Sequence, residues 1–228
     1  MIADKKIFAK GFFMMIGFVI VLVIFFLPAF GGKNGLDYMD NLYNSISKAS
    51  AYYIPKVVEE CDDYSGEMVT VTLQMPDDRT AEQSVFLFEE GGAKTSLSGG
   101  TLQASGDLGG ILKSCLDDAE AMYRNDGDQV SSKYGYDARQ VLYNWWVACK
   151  EMDKNFKKQK KFKEAKVVTE VKDKAVEPSY NYFGIEPQRI TDKAGIVILS
   201  LIFYVVYTLW YGFAYLYMFE GWGMQLEH

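Results

Sequence analysis

Two long uncharged apolar runs lie near the two ends of the chain, at residues 11–30 and 194–219. Neither run contains Asp, Glu, Lys, Arg or His, and each is apolar on every face of a helix. A helix of about 20 residues is about 30 Å long, which matches the hydrocarbon core of a bilayer. Helices buried in soluble proteins rarely stay apolar all round over such a length. The pattern therefore predicts two transmembrane helices.

The charges that flank the first run bear on topology. Three lysines precede it, as in a signal peptide, but its apolar stretch exceeds the roughly 7–15 residues usual for a cleaved signal. We therefore expect an uncleaved anchor. The positive-inside rule then favours an integral protein of the cytoplasmic (inner) membrane, with residues 1–10 and 220–228 in the cytoplasm and the domain at residues 31–193 outside it.

Between the two runs, three short stretches of the chain bear on the prediction of β-strands. Apolar and polar residues alternate at residues 68–75, which predicts a half-buried strand. The short apolar run at residues 85–88 is interpreted as a second strand. The glycine-rich stretch at residues 91–110 is interpreted as a loop, with at most one weak strand near Thr101 and Leu102.

Helical spacing dominates the rest of the intervening segment. It predicts a helix at residues 36–60 with a bend or break at Pro55, a helix at residues 107–123, and one long helix at residues 136–177. Unbroken, the last helix would be about 60 Å long. The expected fold class is therefore a membrane protein with two transmembrane α-helices and an intervening soluble domain of α-rich α+β type. That domain is expected to contain a long helix, two or three further helices and a small antiparallel sheet.

The residue types present exclude several kinds of catalysis. The single histidine is His228 at the C-terminal end, so the domain lacks the imidazole that Ser-His-Asp and Cys-His sites need. Cys61, Cys115 and Cys149 are too few for a four-thiolate zinc or iron–sulfur site. We therefore expect no cofactor, no metal and no enzymatic activity, while an enzyme that uses carboxylates, lysines or tyrosines remains an alternative.

The cysteines and the paired acidic residues are interpreted as parts of the fold and not as parts of a reactive site. Cys115 and Cys149 lie on apolar helix faces, which favours buried, reduced thiols, and a disulfide among the three cysteines stays open. The acidic pairs at residues 62–63, 77–78 and 117–118 are interpreted as solvated helix ends or turns, since nothing in the sequence brings two of them together.

Aromatic residues recur every four positions along the second apolar run, which stacks them in a ridge along one side of a helix. In the middle of a membrane, a tyrosine hydroxyl without an acceptor costs a few kcal/mol. The acceptor could be a carbonyl of the same helix, a group of the first apolar run, another subunit, or a bound lipid or quinone. We interpret the ridge as a packing surface within or between chains, with a specific lipid or quinone site as the alternative. The ridge consists of Phe203, Tyr207, Tyr211, Tyr215 and Phe219.

The predicted long helix carries two further candidate surfaces. Adjacent Trp145 and Trp146 cannot both face the core, and Trp145 lies on the apolar stripe, so Trp146 is predicted to lie at an interface. Interspersed acidic residues favour a solvated role for the lysines of this helix, with anionic lipid headgroups or an acidic partner as alternatives. Nucleic acid is not expected, because the net charge is −6. The basic face consists of Lys154, Lys157, Lys158, Lys160 and Lys161.

Together these features predict a non-catalytic, membrane-anchored subunit or scaffold of a larger membrane complex, with an extracytoplasmic interaction domain. Its expected partners are the lipid bilayer and other membrane-protein subunits or further copies of the chain. One alternative is an extracytoplasmic small-molecule sensor that signals through a membrane partner. Another is a pore-lining subunit of a homo-oligomer, although neither apolar run has the ionisable groups that ion transport usually uses.

Overall fold

The computed structural model describes residues 2–224, which fold as two units. One unit contains the residues up to Ile46 together with those from Gln188 onward, and the other, the central domain, is Ser47–Pro187. Within the described residues the chain forms ten α-helices and three strands. The helices are α1 (Lys5–Phe26), α2 (Gly35–Ser50), α3 (Ile54–Asp62), α4 (Asp78–Glu90), α5 (Leu108–Tyr123), α6 (Gly127–Tyr134), α7 (Ala138–Lys158), α8 (Phe162–Val171), α9 (Glu177–Asn181) and α10 (Ile190–Gly221), and the strands are β1 (Met68–Gln74), β2 (Lys94–Ser98) and β3 (Thr101–Asp107).

Helices α1 and α10, here called the apolar helix pair, are both long and apolar enough to cross a membrane. Helix α1 begins earlier than residue 11 because the Asp4 side chain caps it by accepting from the backbone N–H groups of Lys6 and Ile7. It ends at Phe26, before the predicted residue 30, because Pro28 forces the preceding residue into extended conformation. Helix α10 contains the whole of the predicted run 194–219.

The two apolar helices run antiparallel in close contact. A Cβ at Gly11 would lie 2.7 Å from the carbonyl oxygen of Ala214, and a Cβ at Gly221 would clash with the backbone nitrogen of Phe8. At the same end, the backbone N–H of Asp4 donates to the carbonyl of Gly221 over 2.9 Å. Glycine at these positions lets the two backbones approach each other.

The sheet of the central domain is antiparallel, with strand order β1-β3-β2. Strands β2 and β3 form a hairpin whose two turn residues, Gly99 and Gly100, have φ values of 53° and 74°. Positive φ at both central residues is the signature of a type I′ turn, which glycine adopts without strain. Alternate residues of β1, Val69, Val71 and Leu73, are buried on the face that the helices cover, while the other face is polar and exposed.

The core of the central domain lies between the sheet and helices α5 and α7. Strand β1 and helix α5 confirm the predictions for residues 68–75 and 107–123, and the Asp107 carboxylate caps α5 by accepting from Gly110. The predicted helix 36–60 is broken into α2 and α3, and Pro55 lies in the first turn of α3, where a missing N–H is harmless. The largest fully buried side chains of the core include Trp145, Phe88, Phe156, Leu112 and Met122.

The prediction of a strand at residues 85–88 is wrong, because these residues belong to α4. The Asp77 side chain caps this helix by accepting from Thr80, and the buried residues recur at helical spacing from Ala81 to Phe88. The second and third strands instead lie at 94–98 and 101–107, in the stretch interpreted as a loop. The weak strand expected near Thr101 and Leu102 is therefore confirmed as β3, whereas β2 is not predicted.

The predicted long helix at residues 136–177 is not continuous. Helix α7 ends at Lys158, and Lys160 takes a left-handed conformation with φ of 61°, after which α8 packs back against α7. A π-helical segment, Lys172–Val176, then leads into α9. The central domain therefore contains more helices than the two or three expected beside the long one.

Candidate functional site

The aromatic ridge of α10 winds around the helix. Residues four apart are separated by about 400°, so each step moves the ridge about 40° past a full turn. The first two members of the ridge, Phe203 and Tyr207, face α1. The Phe203 ring stacks on that of Phe25, with centroids 6.1 Å apart, and the Tyr207 ring stacks on that of Phe18, with centroids 4.2 Å apart.

Polar groups between α1 and α10 are paired with the backbone of α1. The Tyr207 hydroxyl donates to the carbonyl of Phe18 over 3.0 Å, and the indole N–H of Trp210 donates to the carbonyl of Met14 over 3.0 Å. A carbonyl oxygen has two lone pairs, so each can also accept its own helical bond. The Trp210 ring lies over Gly17, where a Cβ would lie only 2.9 Å from it. The acceptor that Tyr207 needs is therefore a backbone carbonyl of the first apolar run.

The last members of the ridge turn away from α1. The Tyr211 ring lies between those of Phe18 and Tyr215, at 5.1 and 4.7 Å, whereas the Tyr215 ring packs against that of Phe219, at 5.7 Å. They line a shallow apolar groove of about 430 Å³ on the outer side of α10. The groove is lined by Thr208, Leu209, Gly212, Phe213, Tyr215, Leu216 and Phe219.

Gly212 forms the floor of this outer groove. A Cβ placed at Gly212 would meet no atom of residues 2–224 within 4 Å, in contrast to Gly11 and Gly17 of α1, which are in contact with α10. A small residue on an apolar helix lets another helix approach closely. The outer groove therefore has the shape that helix packing uses.

Trp146, the predicted interface residue, is half-buried on α7. Its indole N–H donates to the Glu177 carboxylate over 2.7 Å, and its ring stacks on that of Tyr143 at 6.3 Å between centroids. The Lys150 amine lies 4.9 Å from the ring centroid. Trp145, by contrast, is fully buried in the core, as its place on the apolar stripe predicts. The interface role of Trp146 stays a prediction.

The basic face of α7 is mixed with acidic residues. Lys154 pairs with Glu151, and Lys157 pairs with Asp153 over 2.8 Å. Lys161, beyond the helix end, lies 3.6 Å from Glu164. Exposed pairs of this kind each contribute about 0–1 kcal/mol. Their acidic members offset part of the positive charge, and binding to anionic headgroups or an acidic partner stays a prediction. Lys158 and Lys160 lie at the end of α7, where a cation complements the helix dipole.

Asp118 contradicts the interpretation of its acidic pair as solvated. Its side chain is 3% exposed and accepts from the Trp145 indole over 2.8 Å, the Tyr134 hydroxyl over 2.6 Å and the Lys133 amine over 3.0 Å. Burial, and then the charge of Asp118, raise the pKa of Tyr134, which stays a proton donor. Asp118 falls on the apolar stripe of α5, whereas the exposed Asp117 points to solvent and pairs with Lys113. This position on the apolar stripe is the sequence signal that could have identified Asp118 as a buried residue.

Lys48 is a fully buried lysine that the sequence reasoning missed. Its amine donates to the Asn125 side-chain oxygen over 2.8 Å and to the carbonyls of Tyr182 and Ile185 over 3.1 and 2.7 Å. Burial lowers the pKa of Lys48. Asn125 has a φ of 64° and also donates to the Ile185 carbonyl, so the pair fastens the segment that follows α9 onto the domain.

All three cysteines are buried and free. Burial raises the pKa of the Cys61 thiol to about 12 and raises that of Cys115. These two thiols are therefore protonated at neutral pH. The buried cysteines act as small apolar groups, as their helix faces predict for Cys115 and Cys149. Among residues 2–224, no group of three or more His, Cys, Asp or Glu side chains is arranged to hold a metal ion.

An open cleft on the surface of the domain lies beside the exposed side chains of Tyr143 and Tyr180. It has a volume of about 280 Å³. The sensor alternative would use a site of this kind, with polar groups for hydrogen bonds and rings for stacking. That alternative stays a prediction. The cleft is lined by Asp137, Arg139, Gln140, Tyr143 and Tyr180.

Comparison of the chain with known protein families, curated proteins and solved structures finds no match in any of the three.

Proposed function

We propose that the chain is a membrane-anchored, non-catalytic subunit that holds other subunits of a membrane complex. In this proposal α1 and α10 cross the cytoplasmic membrane, both termini lie in the cytoplasm, and the domain lies outside it. The observation that carries the proposal is the arrangement of the apolar helix pair, which has polar groups between its helices and large apolar side chains outside.

Outward apolar residues of the pair support immersion in lipid. Phe13 is 70% exposed, Leu199 is 64% exposed and Ile202 is 56% exposed. Burying one such side chain from water contributes about 1.5–3 kcal/mol, so a water-facing surface made of many of them would be strongly unfavourable. In a bilayer the same surface meets hydrocarbon, and hydroxyl and indole groups must find partners inside the protein. Tyr207 and Trp210 have such partners on α1.

Our proposed occupant of the outer groove is a transmembrane helix of another subunit. Helices associate in lipid through close packing at small residues, and Gly212 offers an open position for it beside Tyr215 and Phe219. No charged side chain lines the groove, which suits an apolar helix. A lipid chain or a quinone is the competing occupant.

The proposal is tested by purification in mild detergent, with mass spectrometry of the proteins that accompany the chain. The wild-type chain is expected to retain a companion subunit. Gly212→Leu fills the groove without a clash inside the chain, so it should lose that companion and remain in the membrane. Gly195→Leu is the matched control, because Gly195 is equally free of contacts but lies outside the groove.

Three results would contradict the proposal. In the first, the wild-type chain purifies as a monomer without a companion subunit. In the second, the companion still co-purifies with Gly212→Leu, which would show that it binds outside the groove. Lipid or quinone that co-purifies with the wild-type chain, is lost on Gly212→Leu and leaves the protein composition unchanged would assign the groove to that ligand.

A further inference from the structure

The sheet has two outer edges that differ in their hydrogen bonding. Strand β3 lies in the centre, and β1 and β2 form the edges. In an antiparallel pair, alternate residues direct their backbone N–H and C=O groups toward the neighbouring strand, and the residues between them direct these groups outward. Edge strands therefore present a row of backbone groups to whatever lies beside them.

The edge at β1 is covered by side chains of α7. The Asn155 amide donates to the carbonyl of Thr72 over 3.0 Å, and the Gln159 amide donates to the carbonyl of Thr70 over 3.0 Å. The two-residue hairpin fixes which residues of β3 bond to β2, and this leaves Ala104 hydrogen-bonded to Val71 of β1. Thr70 and Thr72, on either side of Val71, therefore direct their carbonyls outward. The amide side chains take positions that a further strand would otherwise occupy, so this edge is closed.

The edge at β2 has no such cover. In the two-residue hairpin, Ser98 pairs with Thr101 through hydrogen bonds, so Ser96 also points its backbone groups toward β3. The backbone groups of Thr95 and Leu97 consequently point outward. Among residues 2–224, no group donates to or accepts from them on that side. The side chains of both residues face the helix-covered side, where the Thr95 hydroxyl donates to Glu89.

We propose that β2 pairs antiparallel with β2 of a second copy of this chain, which joins two three-stranded sheets into one. The register with the most hydrogen bonds places Ser96 on the two-fold axis. Thr95 then lies opposite Leu97 of the second copy, and Leu97 opposite Thr95, so that each outward N–H and C=O has a partner. The arrangement is self-complementary, as a two-fold interface requires.

Charge favours this antiparallel arrangement. Lys94 is the single charged residue of β2. A parallel, in-register pair would place the two copies of Lys94 side by side, which is unfavourable. About the two-fold axis at Ser96, Lys94 lies opposite Ser98, and the two lysines are about 13 Å apart along the strands. That separation exceeds the Debye length of about 8 Å at physiological ionic strength, so their repulsion is largely screened.

A pairing of five-residue strands is weak without a second constraint. It removes far less surface from water than the roughly 1,200–2,000 Å² of a stable interface. The inference therefore rests on the proposed function in one respect, because anchoring in a membrane raises the local concentration of copies and makes a weak contact effective. The pairing itself uses no residue of α1 or α10. Short length and a lysine also protect edge strands from pairing, which makes a monomer the competing outcome.

The experiment is disulfide cross-linking of Ser96→Cys in the full-length chain in native membranes, with copper phenanthroline and dioxygen as the oxidant. Residues on the two-fold axis that are not hydrogen-bonded to each other have Cα atoms about 4.5 Å apart, which is within the range of a disulfide. Thr72→Cys is the matched control, because it is also exposed on the polar face of the sheet but lies on the closed edge. The native cysteines are buried and give a low background.

The expected result is a band of twice the monomer mass for Ser96→Cys and none for Thr72→Cys. Leu97→Pro, which removes an outward N–H and leaves the bonds to β3 intact, should abolish the cross-link when combined with Ser96→Cys. No cross-link at Ser96→Cys, equal cross-linking of both variants, or a cross-link to a different protein would overturn the inference. Extraction with alkaline carbonate, carried out first, shows separately whether the chain is anchored.

Discussion

The central domain and the apolar helix pair distribute polar and apolar groups in opposite ways. In the domain, large apolar side chains such as Trp145 and Phe88 are fully buried, and the polar face of the sheet is exposed. In the helix pair, Leu199 and Phe13 face outward, and the polar ends of Tyr207 and Trp210 point inward to carbonyls. The same physical rules give opposite patterns in water and in hydrocarbon, so this contrast is the one expected if the helix pair lies in a membrane, as proposed.

This contrast extends to the polar groups that each unit buries. The domain contains clusters of several side chains around a charge, as at Asp118 and Lys48. The helix pair uses neutral donors on backbone carbonyls. Removing a buried charge leaves several partners unsatisfied, whereas removing one hydroxyl leaves a carbonyl that still has its helical bond. Substitutions should therefore affect the domain more than the helix pair.

The largest expected effect is that of Asp118→Ala. It leaves the Trp145, Tyr134 and Lys133 donors without their common acceptor, so we expect a loss of about 3–5 kcal/mol in the free energy of unfolding. Urea unfolding of the full-length chain in detergent, followed by tryptophan fluorescence, measures this value. The adjacent Asp117→Ala is the control, with a change within about 0.5 kcal/mol because Asp117 is exposed. Equal effects of the two substitutions would contradict the assigned cluster.

Lys48→Met should have the next largest effect. It preserves length and removes the amine that serves Asn125 and the carbonyls of Tyr182 and Ile185, which costs about 2–3 kcal/mol. Native hydrogen exchange should also become faster in the segment that follows α9. The control is Lys56→Met, since Lys56 is exposed and forms a 3.9 Å ion pair. A neutral Lys48→Met would show that the buried amine is dispensable.

Alkaline pH should destabilise the domain through the buried thiol of Cys61. Burial raises the pKa of Cys61 to about 12, so the folded state holds a proton that the unfolded thiol, whose ordinary pKa is 9.0, releases. The stabilisation is therefore fully present below about pH 9 and is lost as the pH rises toward 12. Unfolding midpoints measured from pH 8 to 11 should fall. The dependence should be weaker in Cys61→Ala, and an unchanged slope in that variant would remove Cys61 as a cause.

The smallest expected effect is that of Tyr207→Phe in the helix pair. Hydrogen bonds between helices in lipid contribute about 0.6 kcal/mol on average. Tyr204→Phe is the control, because Tyr204 is 67% exposed on the outside of α10. Steric-trap or denaturation measurements in detergent compare the two variants. A loss for Tyr207→Phe as large as that for Asp118→Ala would contradict the comparison between the two units.

Local pattern was sufficient to predict the elements with strong periodicity. The strand at 68–74 alternates strictly, and α5 has an apolar stripe with an acidic cap at Asp107. Strand β2 was missed, and β3 was expected only as a weak strand near Thr101 and Leu102, because both contain few large apolar residues and their Gly99-Gly100 turn lies in a stretch rich in glycine. The turn at Lys160 was missed because neither glycine nor proline marks it.

Most of the candidate sites depend on contacts between distant segments. The ridge on α10 follows from its spacing in sequence, but its division between Tyr207, which faces α1, and Phe219, which faces outward, required the position of α1. The Lys48 cluster joins α2 to residues more than 70 positions away, and the open edge at β2 depends on the order of the strands. Sequence periodicity carries no information on these pairings.

The most direct test of the membrane assignment is labelling of single introduced cysteines with a water-soluble maleimide in intact cells. Leu201→Cys places a thiol on the outer surface of α10, and Ser132→Cys places one on the exposed surface of the domain. The account predicts rapid labelling of Ser132→Cys, with Leu201→Cys unreactive until the lipid is removed by detergent. Equal labelling of the two variants before detergent would contradict it, because α10 would then be in contact with water.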